Sequence, residues 1–161
     1  MRELNHLSEV INAYETFVID LWGVMHNGIK LNEKAMEAVK ELRIKSKKIV
    51  FLSNAPRPSL KVIDFLMKMK MGKQYLSNVM TSGEAAMQAI NHNKFGKNFF
   101  HLGPPRDSSI FEKVKDNLST IDDCDFILCT GLFDEDQPNH NKPQLHENDL
   151  DYYRNFLIKH V

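Results

Sequence analysis

The chain has 161 residues, and its 21 basic and 21 acidic side chains give a formal net charge of zero. This balance does not indicate binding to nucleic acid or to an anionic membrane surface. Hydrophobic residues make up 42% of the chain, which is enough to bury the core of one domain of this length. The longest apolar runs are too short to span a membrane, and the polar N-terminus lacks the apolar segment of a signal peptide.

Cys124 and Cys129 are the two cysteines of the chain, and they lie five residues apart. If their segment is a strand, this odd spacing places them on opposite faces, where they should not form a disulfide with each other. The pair also lacks the further ligands that a metal site requires. We therefore expect a reduced, cytoplasmic protein.

The first predicted element is a short amphipathic helix over residues 3–15. Its apolar residues recur at spacings of three and four: Leu4, Leu7, Val10, Ile11 and Tyr14. A strand is predicted at 16–20, where an apolar run stops at Asp20 and Gly23 then bends the chain away.

Asp20 lies at the carboxyl end of a predicted strand, which is a common location of functional residues in α/β proteins. Ligands of open α/β sheets bind outside the carboxyl ends of the strands. A carboxylate at that point can serve as a nucleophile towards phosphorus or as a metal ligand. It can equally cap the next turn, and the spacing alone does not choose between these interpretations.

A second strand ends in small polar residues in the same way. Asn32 is a predicted N-cap of a helix that ends near Lys45, and a strand at 48–53 then leads into Ser53 and Asn54. The two strands and their helix form a predicted βαβ unit, which brings both strand ends to one edge of the sheet. A hydroxyl and local backbone N–H groups at that edge can donate to a phosphate oxygen.

The rest of the chain continues this alternation. Pro58 suits the first turn of the next helix, and Thr81 with Glu84 matches a capping box at the start of another. The remaining predicted elements are strands at 78–80, 98–103 and 125–130, helices at 81–90 and 108–115, and a final helix that carries Leu150, Tyr153, Phe156, Leu157 and His160. Residues 133–147 are polar and are predicted to form a loop. The spacing of their acids and histidines, Asp134, Asp136, His140 and His146, favours a solvated loop over a metal site.

Three segments resemble the motifs of the haloacid dehalogenase-like phosphohydrolases, and in particular their class IIA, nitrophenyl-phosphatase-like branch. They read FVIDLWGVMHNG at 17–28, FLSNAPRP at 51–58 and TSGEAA at 81–86, and they follow the order of the family. The resemblance implies an α/β fold with a partial Rossmann-like parallel sheet and the first part of an α/β cap. Residues 1–92 would form the N-terminal half of the hydrolase core, and residues 93–161 would form the partial cap.

The resemblance also implies a chemistry for these motifs. Asp20 would be the nucleophile that forms an aspartyl-phosphate, and Ser53 would hold the transferring phosphoryl group. Asp20 and the backbone carbonyl of Trp22 would bind Mg²⁺, Asn54 would orient the loop or the substrate, and Gly23 and His26 would belong to the substrate loop. The substrate would be a small phosphorylated metabolite.

Two departures from the family pattern affect the expected activity. Most phosphatases of the family have a second Asp two residues after the nucleophile as general acid and base, and here that residue is Trp22, which cannot shuttle a proton. His26 is a conceivable substitute, although it can also be a loop histidine that bonds to the backbone. The family's later Lys motif and Gly-Lys-Pro motif with acidic metal ligands are not found before Val161. We therefore expect a truncated hydrolase with weak Mg²⁺ binding and little or no activity.

Two other functions are compatible with the sequence. The chain could be a non-catalytic remnant or interaction module that uses an exposed sheet edge to self-associate or to pair with a separate C-terminal half. An unrelated receiver-like phosphoacceptor domain is less well supported, because the expected acidic pair and later Lys strand are not evident.

Overall fold

A computed structural model describes residues 6–131 and 147–160. The chain divides into two compact units, Met1–Ala85 and Ala86–Val161. Each unit has its own parallel sheet. The predicted α/β class with parallel sheets is therefore confirmed, whereas the predicted domain boundary at residue 92 stays a prediction.

The first unit is built on a three-stranded parallel sheet in the order β1-β2-β3. Its helices connect consecutive strands, as expected for parallel strands that need crossover connections. In chain order the elements are β1 (Thr16–Asp20), α1 (Glu33–Ile44), β2 (Lys48–Ser53), α2 (Ser59–Lys68) and β3 (Val79–Thr81). The predicted strands at 16–20 and 48–53 match β1 and β2.

The helices of this unit bury their apolar stripes against one face of the sheet. The Asn32 side chain caps α1 by accepting a hydrogen bond from the Ala35 N–H group. Phe51 of β2 is fully buried in the core of this unit. The helix residues buried in the same core are Met36 and Val39 of α1 and Val62 and Leu66 of α2.

The opposite face of the sheet remains exposed in this structure. Val18 of β1 is 61% exposed, Leu52 of β2 is 50% exposed and Met80 of β3 is 42% exposed. The strand register places Asp20 beside Leu52 and Leu52 beside Met80, so these residues belong to one face. We call Val18, Leu52 and Met80 the bare face. Parallel sheets are usually covered on both faces, so this surface is unusual for the fold.

The second unit contains a two-stranded parallel sheet around a small aromatic core. Its elements are the end of α3 (Ser82–Asn91), β4 (Phe99–Leu102), β5 (Phe126–Cys129) and α4 (Glu147–His160). Phe99 is fully buried, and its ring packs against Phe111 and Phe126 at centroid distances of 5.1 and 5.7 Å. The exposed Asp125 carboxylate accepts from the Lys97 and Asn98 N–H groups, and these bonds lower the pKa of Asp125.

Two predicted helices are wrong. Of the predicted helix at 3–15 the structure describes residues 6–15, and these contain one 3₁₀ turn, Leu7–Glu9, which the His6 side chain caps by accepting from the Ser8 N–H group. The predicted helix at 108–115 is instead two 3₁₀ segments, Pro105–Ile110 and Glu112–Asn117. The adjacent residues Ile110 and Phe111 between the two segments are both buried. An amphipathic α-helix has a single apolar stripe and does not favour burial of two adjacent residues, so the chain bends here.

Three further predictions concern the cysteines, the loop at 133–147 and the absence of a membrane span. Cys124 and Cys129 are both free. The predicted loop at 133–147 lies almost wholly outside the described residues. Within the described ranges, none of the helices has the length and hydrophobicity needed to cross a bilayer.

Candidate active site

Polar residues end all three strands at the carboxyl edge of the first sheet. Asp20, Ser53 and Thr81 are the last residues of β1, β2 and β3. Asp20 of β1 pairs with Leu52 of β2, which is the residue before Ser53. Ser53 in turn pairs directly with Thr81 of β3. The structure therefore brings the two predicted catalytic residues to neighbouring strand ends.

Asp20 presents its carboxylate to solvent. The residue is exposed, and among the described residues its side chain makes no hydrogen bond or salt bridge. It is near enough to His26 for its charge to raise the pKa of that ring, in opposition to a larger effect of burial. An exposed carboxylate without a fixed partner can approach a substrate or a cation.

Ser53 is buried, and a backbone group occupies one side of its hydroxyl. The Ser53 oxygen accepts a hydrogen bond from the Ala55 N–H group at 3.2 Å. Because a serine hydroxyl both donates and accepts, this bond leaves the Ser53 O–H group available as a donor. Asn54, the next residue, is exposed at the start of the same loop.

The loop after β1 folds back on itself through Gly23. Gly23 has a φ of +78°, which favours glycine, and its N–H group donates to the His26 carbonyl at 2.8 Å. The N–H groups of Met25 and His26 both donate to the Leu21 carbonyl. These bonds fix the segment that follows Asp20 and do not use the Trp22 carbonyl.

An aromatic cluster stabilises this loop. The Trp22 side chain is 66% exposed and its ring lies over Gly28, where an added Cβ would come within 2.8 Å of the indole. The His26 ring meets Trp22 edge to face at a centroid distance of 5.4 Å, and it meets Phe65 of α2 in a similar way at 5.5 Å. Gly28 is thus required both for this packing and for its own φ of +90°.

The hydrogen bonds of His26 favour its role as a loop residue. Its side chain Nδ1 accepts from the Gly28 N–H group at 3.1 Å, so the neutral ring carries its proton on Nε2. Burial lowers the pKa of His26 from 6.5, although Asp20 partly opposes this shift. A ring that is neutral at pH 7, with its acceptor nitrogen already occupied, is poorly suited to replace the missing general acid.

The segment Thr81–Glu84 contacts the loop after β2, a feature that the sequence analysis missed. Thr81 caps α3 by accepting from the Glu84 N–H group at 3.0 Å, as predicted. The Glu84 carboxylate, however, accepts from the Ser59 N–H group at the start of α2, also at 3.0 Å. Gly83 in the first turn of α3 was a possible signal, because a glycine within a helix often marks a close backbone approach.

Two groups at this edge carry oxygen atoms of the kind that bind Mg²⁺. Mg²⁺ prefers an octahedral set of oxygen ligands and commonly takes one or two carboxylates together with substrate phosphate and water. The exposed Asp20 carboxylate and the Trp22 carbonyl fit this chemistry. Among the described residues, no group of three or more acidic, His or Cys side chains could hold a metal ion by itself.

Comparison with known proteins gives matches over most of the chain. The family model of haloacid dehalogenase-like hydrolases matches residues 17–115. A haloacid dehalogenase-like hydrolase from Brucella suis 1330 is similar with a TM-score of 0.78 and 25% identity, over 97% of this chain and 55% of that chain. No curated protein sequence matches the chain.

Two solved phosphatases share the fold at lower identity. The 4-nitrophenylphosphatase of Thermotoga maritima has a TM-score of 0.59 and 24% identity, over 93% of this chain and 53% of that chain. The p-nitrophenyl phosphatase of Archaeoglobus fulgidus has a TM-score of 0.55 and 18% identity, over 90% of this chain and 52% of that chain. The chain thus spans about half the length of the solved structures that it matches.

We predict that protonation of His26 destabilises the folded chain. Because its folded pKa is lowered from 6.5, the unfolded chain binds more protons in the pH range just below 6.5. The free energy of unfolding should therefore decrease as the pH falls through 6.5, and this decrease should be smaller in His26→Gln. Urea unfolding between about pH 7.5 and 5.5 measures it.

A second measurement tests the proximity of Asp20 and His26. Asp20→Asn removes the charge that raises the pKa of His26, so the ring should titrate at a still lower pH when followed by NMR. Ile29→Ala, at an exposed residue of the same loop, serves as the control for both measurements. An unchanged pH dependence in His26→Gln, or an unchanged titration in Asp20→Asn, would contradict the prediction.

Proposed function

The chain belongs to the haloacid dehalogenase-like hydrolase family, as its three motifs predicted. On this basis we propose that it hydrolyses phosphate monoesters and that Asp20 is the nucleophile. The observation that carries the proposal is the register of the first sheet. Asp20 and Ser53 end neighbouring parallel strands, and their side chains combine an exposed carboxylate with an available hydroxyl donor. This is the edge at which α/β proteins bind ligands.

The proposed reaction divides hydrolysis into two displacements. An Asp20 carboxylate oxygen attacks phosphorus in line, the bond to the ester oxygen breaks, and the leaving group departs with that electron pair. Water then attacks the aspartyl-phosphate, which releases phosphate and restores the carboxylate. The Ser53 hydroxyl donates to a phosphoryl oxygen and holds the group during transfer. A magnesium ion bound by Asp20 and the Trp22 carbonyl would supply neutralisation of the phosphoryl charge.

The chain is expected to perform this reaction weakly. The Lys motif and the Gly-Lys-Pro motif that the resemblance implies are not found in the 161 residues. Without them, the phosphoryl charge and the metal ion are held by fewer groups. We therefore propose slow turnover of a small phosphorylated metabolite, and we place the protein in the cytoplasm, where free thiols such as Cys124 and Cys129 persist.

We predict that 4-nitrophenyl phosphate with Mg²⁺ phosphorylates Asp20. The first displacement requires only Asp20, Ser53 and the ion, whereas breakdown of the intermediate needs a general base that is absent at Trp22. One phosphoryl adduct per chain should therefore accumulate and be detected by intact mass spectrometry. Asp20→Asn should abolish it, because an amide is not a nucleophile towards phosphorus.

Asp64→Asn is the matched control for this experiment. Asp64 is an exposed carboxylate on α2, and its replacement should leave the adduct unchanged. An adduct that persists in Asp20→Asn, or that disappears in Asp64→Asn, would remove Asp20 from the proposed role. The absence of any adduct at high Mg²⁺ would contradict phosphoryl transfer by this chain.

We further predict that the leaving group determines the rate of phosphorylation. Trp22 cannot protonate a departing oxygen, so nitrophenolate should leave readily and a basic alkoxide should not. Trp22→Asp should raise the ratio of two phosphorylation rates, that with glycerol phosphate over that with 4-nitrophenyl phosphate, by on the order of a hundredfold. Trp22→Phe, which adds no acid, should leave that ratio unchanged. Equal rates with both esters in the unmodified chain would contradict this explanation.

The bare face supports a second function, that of an interaction module. The face exposes Val18, Leu52 and Met80, and β1 lies at the end of the strand order among the described strands. We propose that a second polypeptide, either another copy or a separate C-terminal half, pairs with the β1 edge and packs over this face. Exposed strand edges and apolar patches commonly promote such pairing.

We predict that the chain self-associates in a concentration-dependent manner when no partner is present. Val18→Lys should shift sedimentation towards the monomer, because a charge on the bare face opposes burial. Leu60→Lys, at an exposed residue of α2, should have little effect. A chain that is monomeric at all concentrations would contradict this function.

A further inference from the structure

We propose that residues Thr81–Glu84 position the Ser53 hydroxyl for phosphoryl transfer. We call these four residues the clamp. The inference rests on the proposed function, since it gives the clamp a role in the same reaction. The sequence explains the TSGE segment only as the start of a helix, whereas the inference adds a second role, which is to position Ser53.

Each residue of the clamp makes a hydrogen bond to the segment that follows Ser53. The Thr81 hydroxyl, which is almost completely buried, donates to the Arg57 carbonyl at 2.6 Å. At the other end of the clamp, the Glu84 carboxylate accepts from the Ser59 N–H group at 3.0 Å. These two bonds hold the far end of the loop and the beginning of α2.

The two central residues of the clamp hold the loop next to Ser53. The Ser82 hydroxyl and the Gly83 N–H group both donate to the Ala55 carbonyl, each at 3.0 Å. An added Cβ on Gly83 would lie 2.3 Å from the Arg57 nitrogen, so the two backbones are in direct contact. Two donors on one carbonyl fix the position of Ala55 from the side of α3.

Ala55 transmits this constraint to Ser53. Its N–H group donates to the Ser53 oxygen at 3.2 Å, while its carbonyl is held by Ser82 and Gly83. One acceptor site of the Ser53 hydroxyl is therefore occupied, and its O–H group remains available as a donor. A hydroxyl oxygen that is held in this way needs less rearrangement before it donates to a phosphoryl oxygen, which is the condition for preorganised stabilisation.

Helix capping alone does not explain this arrangement. The cap of α3 needs only the bond from the Glu84 N–H group to the Thr81 oxygen. The four remaining bonds reach residues 24 to 28 positions away in the chain. Three of them contact the loop between Ser53 and α2 and the fourth contacts Ser59 at the start of α2, so the clamp acts as a set of positioning residues for that segment.

The test measures binding of orthovanadate with Mg²⁺ to the full chain by calorimetry. Ser53→Ala removes the donor and should weaken binding by about tenfold or more, as expected for a hydrogen bond to a charged group. Thr81→Val removes the hydroxyl at nearly constant volume and should weaken binding by about threefold to tenfold. Thr81→Ser restores the hydroxyl and should restore binding.

The double variant distinguishes positioning from a general loss of stability. If the clamp acts through Ser53, Thr81→Val should have no further effect on vanadate binding in the Ser53→Ala background. An equal effect of Thr81→Val in both backgrounds would overturn the inference and leave the proposed function intact. Ser53→Ala without an effect on binding would instead refute the role of Ser53 in the proposed function, and the clamp's role with it.

Hydrogen exchange of the Ala55 amide tests the clamp independently of any ligand. Ser82→Ala removes one donor to the Ala55 carbonyl from an exposed residue, so the fold should tolerate it. The Ala55 amide should exchange severalfold faster in Ser82→Ala and in Thr81→Val than in Gln88→Ala, a control at an exposed residue of α3. Unchanged exchange at Ala55 would overturn the inference, even if the chain binds no vanadate.

Discussion

The candidate site depends above all on the parallel register between β1 and β2. Because Asp20 pairs with Leu52, the nucleophile candidate lies one residue from Ser53 at the same edge of the sheet. A shift of one residue in this register would exchange the faces of β1 and turn Asp20 towards the core. The burial of Phe51 opposes such a shift, so hydrophobic packing on one face determines the chemistry that is available at the end of the strand.

Much of this arrangement could be predicted from local sequence. The apolar runs that stop at Asp20 and Ser53 correctly located the ends of β1 and β2, because buried parallel strands need continuous apolar residues. Asn32 correctly marked the start of α1. Prediction failed where apolar spacing was the only signal. A spacing of three and four is compatible with one 3₁₀ turn, and local bonds such as that between His6 and Ser8 decided the outcome in the first segment.

The clamp could not be predicted because its bonds join distant parts of the chain. Thr81 and Glu84 already satisfied a local pattern, the capping box, and a satisfied local pattern gives no reason to look for another partner. The structure shows that the Glu84 carboxylate serves Ser59 instead. Gly83 was the residue whose identity the local pattern left unexplained, and its contact with the Arg57 backbone supplies the reason.

The described residues fix the positions of the loops at the candidate site, but they provide few charges to compensate that of a phosphoryl group. Hydrogen bonds fix the loops after β1 and β2. Gly23 permits a turn with positive φ, Gly28 permits the close approach of the Trp22 ring, and Gly83 permits the close approach of the Arg57 backbone. Asp20, by contrast, is exposed to water, where the attraction between opposite charges a few ångströms apart is only about 1 kcal/mol. Transfer of a phosphoryl group needs stronger compensation than this, in an environment with less water. A surface that covered the bare face and the end of β1 would lower the local dielectric constant and bring further charges near Asp20. The proposed hydrolase and the proposed interaction module would then be one function, in which pairing at the sheet completes a site whose geometry is already present.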